Sequence, residues 1–185
     1  MTMEQVIEKS VLDNVVHARL ISNIDSIAQT AKVPVYMLHK SAKPFLAPKE
    51  VEWLAKFRAH KASGKAGLCL MGEGQNVEVK MMAMAAALIR NFIDARVLTM
   101  GSLLNDAGEF NPPNPTVMLI PTFCVAYEGK PLATWQCVNI HSMLVERMSE
   151  GKMTVLYVAS WDMLRKQYGP TMADFVKNNY TVIGS

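Results

Sequence analysis

Residues 67–90 read GLCLMGEGQNVEVKMMAMAAALIR, and the reading of this stretch decides the fold. Gly67–Met71 is a short apolar run of strand length. A turn holding Gly72 and Gly74 follows, and then an Ala- and Met-rich run with no Gly or Pro predicts a long helix over 77–93. Strand, glycine turn and helix form the layout of a phosphate-cradling loop, G-x-x-x-x-G-K-[ST]. In that motif backbone N–H groups hold the phosphates, the Lys reaches the outer ones and the hydroxyl holds Mg²⁺. Laid on Gly72, the pattern places Val77 at the second Gly, Glu78 at the Lys and Val79 at the Ser/Thr. A carboxylate at the Lys position repels what the loop should clamp. The layout is therefore expected to be a degenerate loop (Gly72, Gly74, Glu78) with no cofactor and no hydrolysis.

Outward from this stretch, strands and helices alternate. Strand 95–100 leads to a short helical piece at Ser102-Leu103-Leu104, and the Pro-Asn-rich segment Asn105 to Pro115 reads as a loop. Strand 116–121 precedes residues 122–133, which are irregular or form a short strand and a turn at Glu128-Gly129. Helix 134–150 stops at Gly151. Strand 153–158, a helix over 160–178 broken near Gly169-Pro170, and a final strand at Thr181-Val182-Ile183 complete the series. Such alternation predicts a parallel sheet with helices on both faces, a three-layer α/β body over 66–185.

Residues 1–65 differ. Val6, Val11, Val15, Val16, Ile21, Ile24 and Ile27 recur near helical spacing, so 3–31 is expected to be a helix with a broad apolar face, a candidate oligomerisation element. Pro34, Pro44 and Pro48 mark a connector in which Val35-Tyr36-Met37-Leu38 is the best strand candidate. Helical character resumes over 49–62, with Pro48 suited to the first turn. Together they form a helical, basic N-terminal extension.

Half of the 185 residues are hydrophobic, ample for a core. No apolar run approaches the roughly 18 residues of a membrane-spanning helix, and the N-terminus lacks a signal-peptide core. Cys69, Cys124 and Cys137 lie in apolar stretches without a C-x-x-C pair, which argues against disulfides and zinc and for a reducing cytoplasm. Charge is unevenly distributed. Residues 32–65 hold eight cations (Lys32, Lys40, Lys43, Lys49, Lys56, Arg58, Lys61, Lys65) and two carboxylates, so this segment carries +6 and the remainder −3. Either a polyanion partner or a solvated face accounts for such asymmetry.

The order of elements over residues 67–178 resembles the AAA+ core of bacterial replicative helicase loaders and IstB-like transposition ATPases. Gly67 to Gly72 looks like the strand entering the nucleotide loop. Val97-Leu98-Thr99-Met100 with Leu103-Leu104 is similar to the second strand and its short helix. Trp135 through Gly151 resembles the helix after the Walker B strand, and Thr154-Val155-Leu156 with Leu164 to Gly169 the sensor strand and its helix. The catalytic positions depart from the family. Val117-Met118-Leu119-Ile120 runs into Pro121-Thr122-Phe123 with no carboxylate, Ser160 is the sole candidate for the sensor residue, and no arginine follows Arg165. Phosphoryl transfer rests on these positioning charges. A body lacking them behind a basic extension also looks like the Drc-type proteins of lytic phages. That resemblance implies a homo-oligomer in the host cytoplasm that binds single-stranded DNA, supports phage transcription or replication beside a phage RNA polymerase, and does not hydrolyse ATP. The alternative is a degenerate helicase loader or inhibitor gripping a replicative helicase through protein contacts.

Binding single strands needs cations along the phosphates and aromatic faces for the bases. The candidates are Lys40, Lys43, Lys49, Lys56, Arg58, Lys61 and Lys65 for phosphates, with Trp53 and Tyr36 for stacking. The competing reading of Trp53 and Phe57 is that they anchor their helix on the body. Other chemistry finds less support. His17, His39, His60 and His141 have no metal-ligand spacing. A Cys124–His141 pair is conceivable, but lone cysteines are usually packing residues, and Ser160 lacks a nucleophile elbow. Glu73 and Glu78 read as surface or capping groups, and Met81, Met82 and Met84 as core filler. No helix is dense in Arg, Asn and Gln as a duplex reader would be.

Overall fold

The structure, a computed structural model, describes residues 10–72, 76–104, 112–124 and 132–184. Five strands, β1 (Gly67–Met71), β2 (Ala95–Val97), β3 (Val117–Cys124), β4 (Met153–Val158) and β5 (Tyr180–Gly184), form one all-parallel sheet in the order β2-β3-β4-β1-β5. The chain leaves β1, passes over β4 and β3 to the far edge, steps back through β2, β3 and β4, and then crosses β1 to add β5. Helices cover both faces, as alternation predicted.

Strand side chains sort by parity into two cores. Leu68, Leu70, Val117, Leu119, Met153 and Val155 face one side; Cys69, Met118, Ile120, Leu156 and Val158 face the other. This is why the strands read as continuous apolar runs rather than alternating ones. On the first face lie α1 (Ala18–Ser22), α2 (Ile24–Ala31), α3 (Val35–His39), a 3₁₀ turn at Lys43–Phe45, α4 (Pro48–Ala55), α5 (Phe57–Ala62) and α6 (Val77–Arg90). On the second lie α7 (Met100–Leu103), α8 (Thr134–Ser149), α9 (Trp161–Tyr168) and α10 (Pro170–Asn179).

The described part of the N-terminal segment departs from the expected helix over 3–31, whose first residues lie outside the described ones. Asp13 Oδ1 accepts from the Val15 and Val16 N–H groups (2.9 and 2.8 Å), a side-chain turn that competes with helix. Helix begins only at Ala18 and breaks again at Asn23. Leu12, Leu20, Ala28 and Ala31 are buried in the same core as Leu68, Met84 and Val97. The apolar face of this segment, expected as a candidate oligomerisation element, is thus part of the first helical layer. Val35–Leu38, expected as a strand, is the helix α3, with Pro34 at its N-cap and Met37 and Leu38 buried. Helix α6 ends at Arg90 rather than 93. Phe92 turns to φ +60°, and the Ile93 N–H returns to the Leu88 carbonyl at 3.1 Å, closing the helix.

Strand β3 runs to Cys124, beyond the expected 121. Pro121, lacking an N–H, sits where the β3–β4 register slips between Ile120 and Cys124, a bulge that tolerates proline inside a sheet. Gln136 Oε1 caps the start of α8 by accepting from the Ala133 N–H at 2.8 Å. Glu128-Gly129, Tyr127, most of the 105–115 loop and residues 73–75 lie outside the described residues.

Two features hold β4 in place. Gly67 (φ +152°) lies against the Thr154 backbone, so that a Cβ there would meet the Thr154 carbonyl oxygen at 1.8 Å. Arg147, 2 % exposed, spreads its guanidinium over three neutral acceptors, with Nε on Thr154 Oγ1 (3.1 Å), Nη1 on Asn114 Oδ1 (2.6 Å) and Nη2 on the Met153 carbonyl (2.8 Å). Burial pulls its pKa down to about 10, opposed by the nearby Tyr180 and Glu150, so it stays charged at neutral pH.

Gly67→Ala is expected to destabilise by about 3 kcal/mol or more through this clash with backbone, lowering Tm by roughly 6–12 °C in a chain of this size. Gly64→Ala, at φ +75° with open space around it, isolates the backbone cost alone and should lose far less. Equal melts for the two variants would refute the close-approach account. Arg147→Leu strands two buried acceptors, Thr154 Oγ1 and the Met153 carbonyl, and is also expected to cost about 3 kcal/mol. Arg147→Lys should lose nearly as much, because an ammonium cannot reproduce the fork. A lysine variant melting like the parent would show that charge, not geometry, is what matters there.

Candidate nucleic-acid interface

On the first face, α6 is packed between the sheet and the N-terminal helices. Met81, Ala83, Met84, Ala85, Ala86, Leu88 and Ile89 are all buried, and its alanines let neighbouring backbones approach closely. Buried Glu50 fixes α4 to α6. Its Oε2 accepts from the Ala47 N–H (2.8 Å), half of a capping box, and its Oε1 pairs with Lys80 Nζ (2.8 Å). Arg90, in the last turn of α6, donates from Nη1 to the Met37 and Leu38 carbonyls (3.0 and 3.4 Å), capping the end of α3; burial lowers its pKa.

Between these struts runs an open groove of about 800 Å³. Leu46, Val51, Leu54, Phe57, Leu88 and Ile93 contribute apolar surface, and Lys43, Lys56, Arg58 and Arg90 stand around them. None of its lining residues is acidic. Three of the cations expected to bind phosphate, Lys43, Lys56 and Arg58, therefore come together in one groove. Lys40 lies over the ring of Tyr36, 5.3 Å from its centroid, with Tyr36 half exposed. Lys49 and Lys61 are exposed on α4 and α5. Lys65 is also exposed but reaches the other way, donating to the Asn178 carbonyl (3.1 Å) beside β5. The seven cations share a face only in part.

Trp53 requires a correction. At 2 % exposure it is among the most buried large side chains, edge-on to Phe57 (5.7 Å, 77°) and stacked on His60 (5.7 Å, 16°). It anchors α4 and offers no face to a base; its buried indole N–H has no hydrogen-bond partner among the described residues. The anchoring alternative is the one realised. Arg90 and the aliphatic lining were missed in the sequence. A single arginine ending an Ala-rich apolar helix was the available signal for Arg90; for Leu46 and Ile93, in turns, there was none.

The loop after β1 lies at the carboxyl ends of the strands. It is also at the switch point, where the connections from β1 and β4 leave in opposite directions, the usual ligand position in open α/β sheets. Gly72 is bound on both sides, its N–H on the Val158 carbonyl (3.3 Å) and its carbonyl accepting from Tyr157 Oη (2.6 Å). Glu73 and Gly74 lie outside the described residues. Asn76 adopts the left-handed conformation (φ +60°) before α6, and Glu78 stands exposed in its first turn. A carboxylate there complements the helix dipole itself and opposes an anionic ligand.

The remaining candidates have structural roles. Ser160 is the N-cap of α9, accepting from the Met163 N–H at 3.2 Å. Burial raises the thiol of Cys69 to about 12 and that of Cys124 to about 11, which opposes thiolate nucleophilicity. His141 stands edge-on to Phe175. His17 lies between the Asp13 N–H and the Arg90 carbonyl, and His39 meets Ser10. Among the described residues, no three His, Cys, Asp or Glu side chains converge as metal ligands, and no helix is long and apolar enough to cross a membrane. Compared with protein-family models and with curated proteins, the sequence matches none.

Proposed function

We propose that the protein binds single-stranded DNA through the cationic surface of residues 32–65, as a non-enzymatic homo-oligomer that supports phage transcription or replication. One observation carries this reading. All eight cations of the segment are exposed, and among the described residues only Lys56 is joined to a carboxylate, Glu52 at 2.7 Å. A +6 segment whose charges are not neutralised within the fold attracts a polyanion, and counterion release makes such binding favourable. Single rather than double strands follow from Tyr36, an exposed ring bracketed by Lys40, and from the lack of an Arg/Asn/Gln-rich recognition helix. With Trp53 buried, stacking falls to Tyr36. Independence from ATP follows from Glu78 in the first turn after β1 and the lack of a carboxylate through β3.

Fluorescence anisotropy with labelled single- and double-stranded oligonucleotides, at two salt concentrations and with and without Mg²⁺-ATP, tests this. Tighter binding of the single strand, unaffected by ATP, is expected. Replacing Lys43, Arg58 and Lys61 together by Ala should reduce the slope of log K against log salt by about 2, roughly 0.7 per phosphate contact on single strands. Tyr36→Ala should weaken binding by about 1–3 kcal/mol, the usual worth of one stacked base. Unchanged affinity and slope in the triple variant would remove this surface from the assignment. Mg²⁺-dependent ATP hydrolysis abolished by mutation at Gly72 would overturn the non-enzymatic reading.

A further inference from the structure

We infer that the groove between α4–α5 and the end of α6 is a docking site for an acidic amphipathic helix of a partner protein, sharing the rim cations Lys43, Lys56 and Arg58 with the single-strand surface but using an apolar floor that nucleic acid does not. The argument rests on what its accessible surface is made of. Leu46, Val51, Leu54 and Ile93 are partly exposed there, all aliphatic. Phe57, the aromatic residue among the lining residues, is 5 % exposed, so a base on the floor of the groove finds no ring there to stack on. Nucleic acid gains from the rim and nothing from the floor.

A helix in which apolar side chains recur at i, i+3, i+4 and i+7 gains from both. Its apolar stripe covers the aliphatic floor, and carboxylates flanking the stripe meet Lys43 and Arg58, with Lys56 beside them already paired with Glu52. Arg90, held by the α3 carbonyls, adds a fixed positive charge at the inner end. A basic or neutral helix would leave Lys43 and Arg58 uncompensated, since Glu52 pairs with Lys56 alone and none of the lining residues is acidic. The complementarity therefore selects both the apolar pattern and the sign of charge.

The probe is a fluorescein-labelled 18-residue peptide of Glu, Ala and Leu with leucines on one helical stripe. It is compared with a peptide of equal composition whose leucines are spread around the helix, with a Lys-for-Glu version, and with oligo(dT). The striped acidic peptide is expected to bind at least about tenfold tighter than the spread one, and the basic version not at all. Leu54→Ser should weaken the striped peptide about fivefold or more and leave oligo(dT) unchanged, while Tyr36→Ala should do the reverse. Val51→Ser repeats the test should Leu54→Ser fold poorly. In the unaltered protein, a benzophenone on the leucine stripe should crosslink within residues 46–59 and 87–93. Equal binding of striped and spread peptides, crosslinks elsewhere, or a parallel loss of oligo(dT) affinity in Leu54→Ser would each overturn the inference. The last result would give the groove to nucleic acid and leave the single-strand reading standing.

Discussion

The contact on which the rest of the structure depends is the approach of β1 to β4 at Gly67. Strand β1 is interior, hydrogen-bonded to β4 on one side and β5 on the other, and buried on both faces along Leu68, Cys69 and Leu70. A side chain at Gly67 would occupy the position of the Thr154 carbonyl. The same stretch of β4 receives the guanidinium of Arg147 from the end of α8, so the base of the sheet is locked from two directions. With β1 inserted between β4 and β5, the chain must cross β4 and β3 to reach the far edge. That crossing lays α6 diagonally over the first face, where it contacts β2 and β3.

A helix so placed has two sides to cover, and α6 is apolar nearly all round. The sheet takes one side. The other is the reason the N-terminal helices belong to the body: α3 and α4 pack against α6, and α2 reaches β2. They are short and interrupted because each must turn to follow α6. Where α4 and α5 diverge from the last turn of α6 they leave the groove, its rim basic because the N-terminal segment is. Arg90 serves both functions, closing α3 with its hydrogen bonds and lending its charge to the groove.

The fold was legible where each element carried its own period. The five strands and their alternation with helices follow from apolar runs bounded by Gly and Pro, and the break at Gly169-Pro170 from the chemistry of those two residues. Failures fell where short segments take their conformation from neighbours. Val35-Tyr36-Met37-Leu38 has strand composition, yet the proline before it and the pull of Arg90 on its last carbonyls make it a turn of helix. Residues 10–31 have helical spacing, but Asp13 captures the N–H groups that would have extended the helix. For the site, composition located the charge and misassigned the ring. Cations stay at the surface whatever the fold, whereas an indole goes wherever the most apolar area is removed from water. Trp53, one turn from Phe57 and above α6, had that option.

The position of α6 also separates the two ends of the molecule. Its N-terminus follows the loop after β1, at the carboxyl ends of the strands; its C-terminus, 14 residues on, forms the inner end of the groove at the opposite edge. A 14-residue helix spans about 21 Å, about two and a half Debye lengths at physiological salt. Charge at one end is therefore largely screened from the other. A glutamate rather than a lysine at position 78 thus leaves the charge of the groove unaltered. Met81, Met84 and Leu88 keep the helix seated on the sheet whether or not a phosphate occupies its start. Strand β1 and helix α6 therefore keep their places with a glutamate, not a lysine, in the first turn of α6.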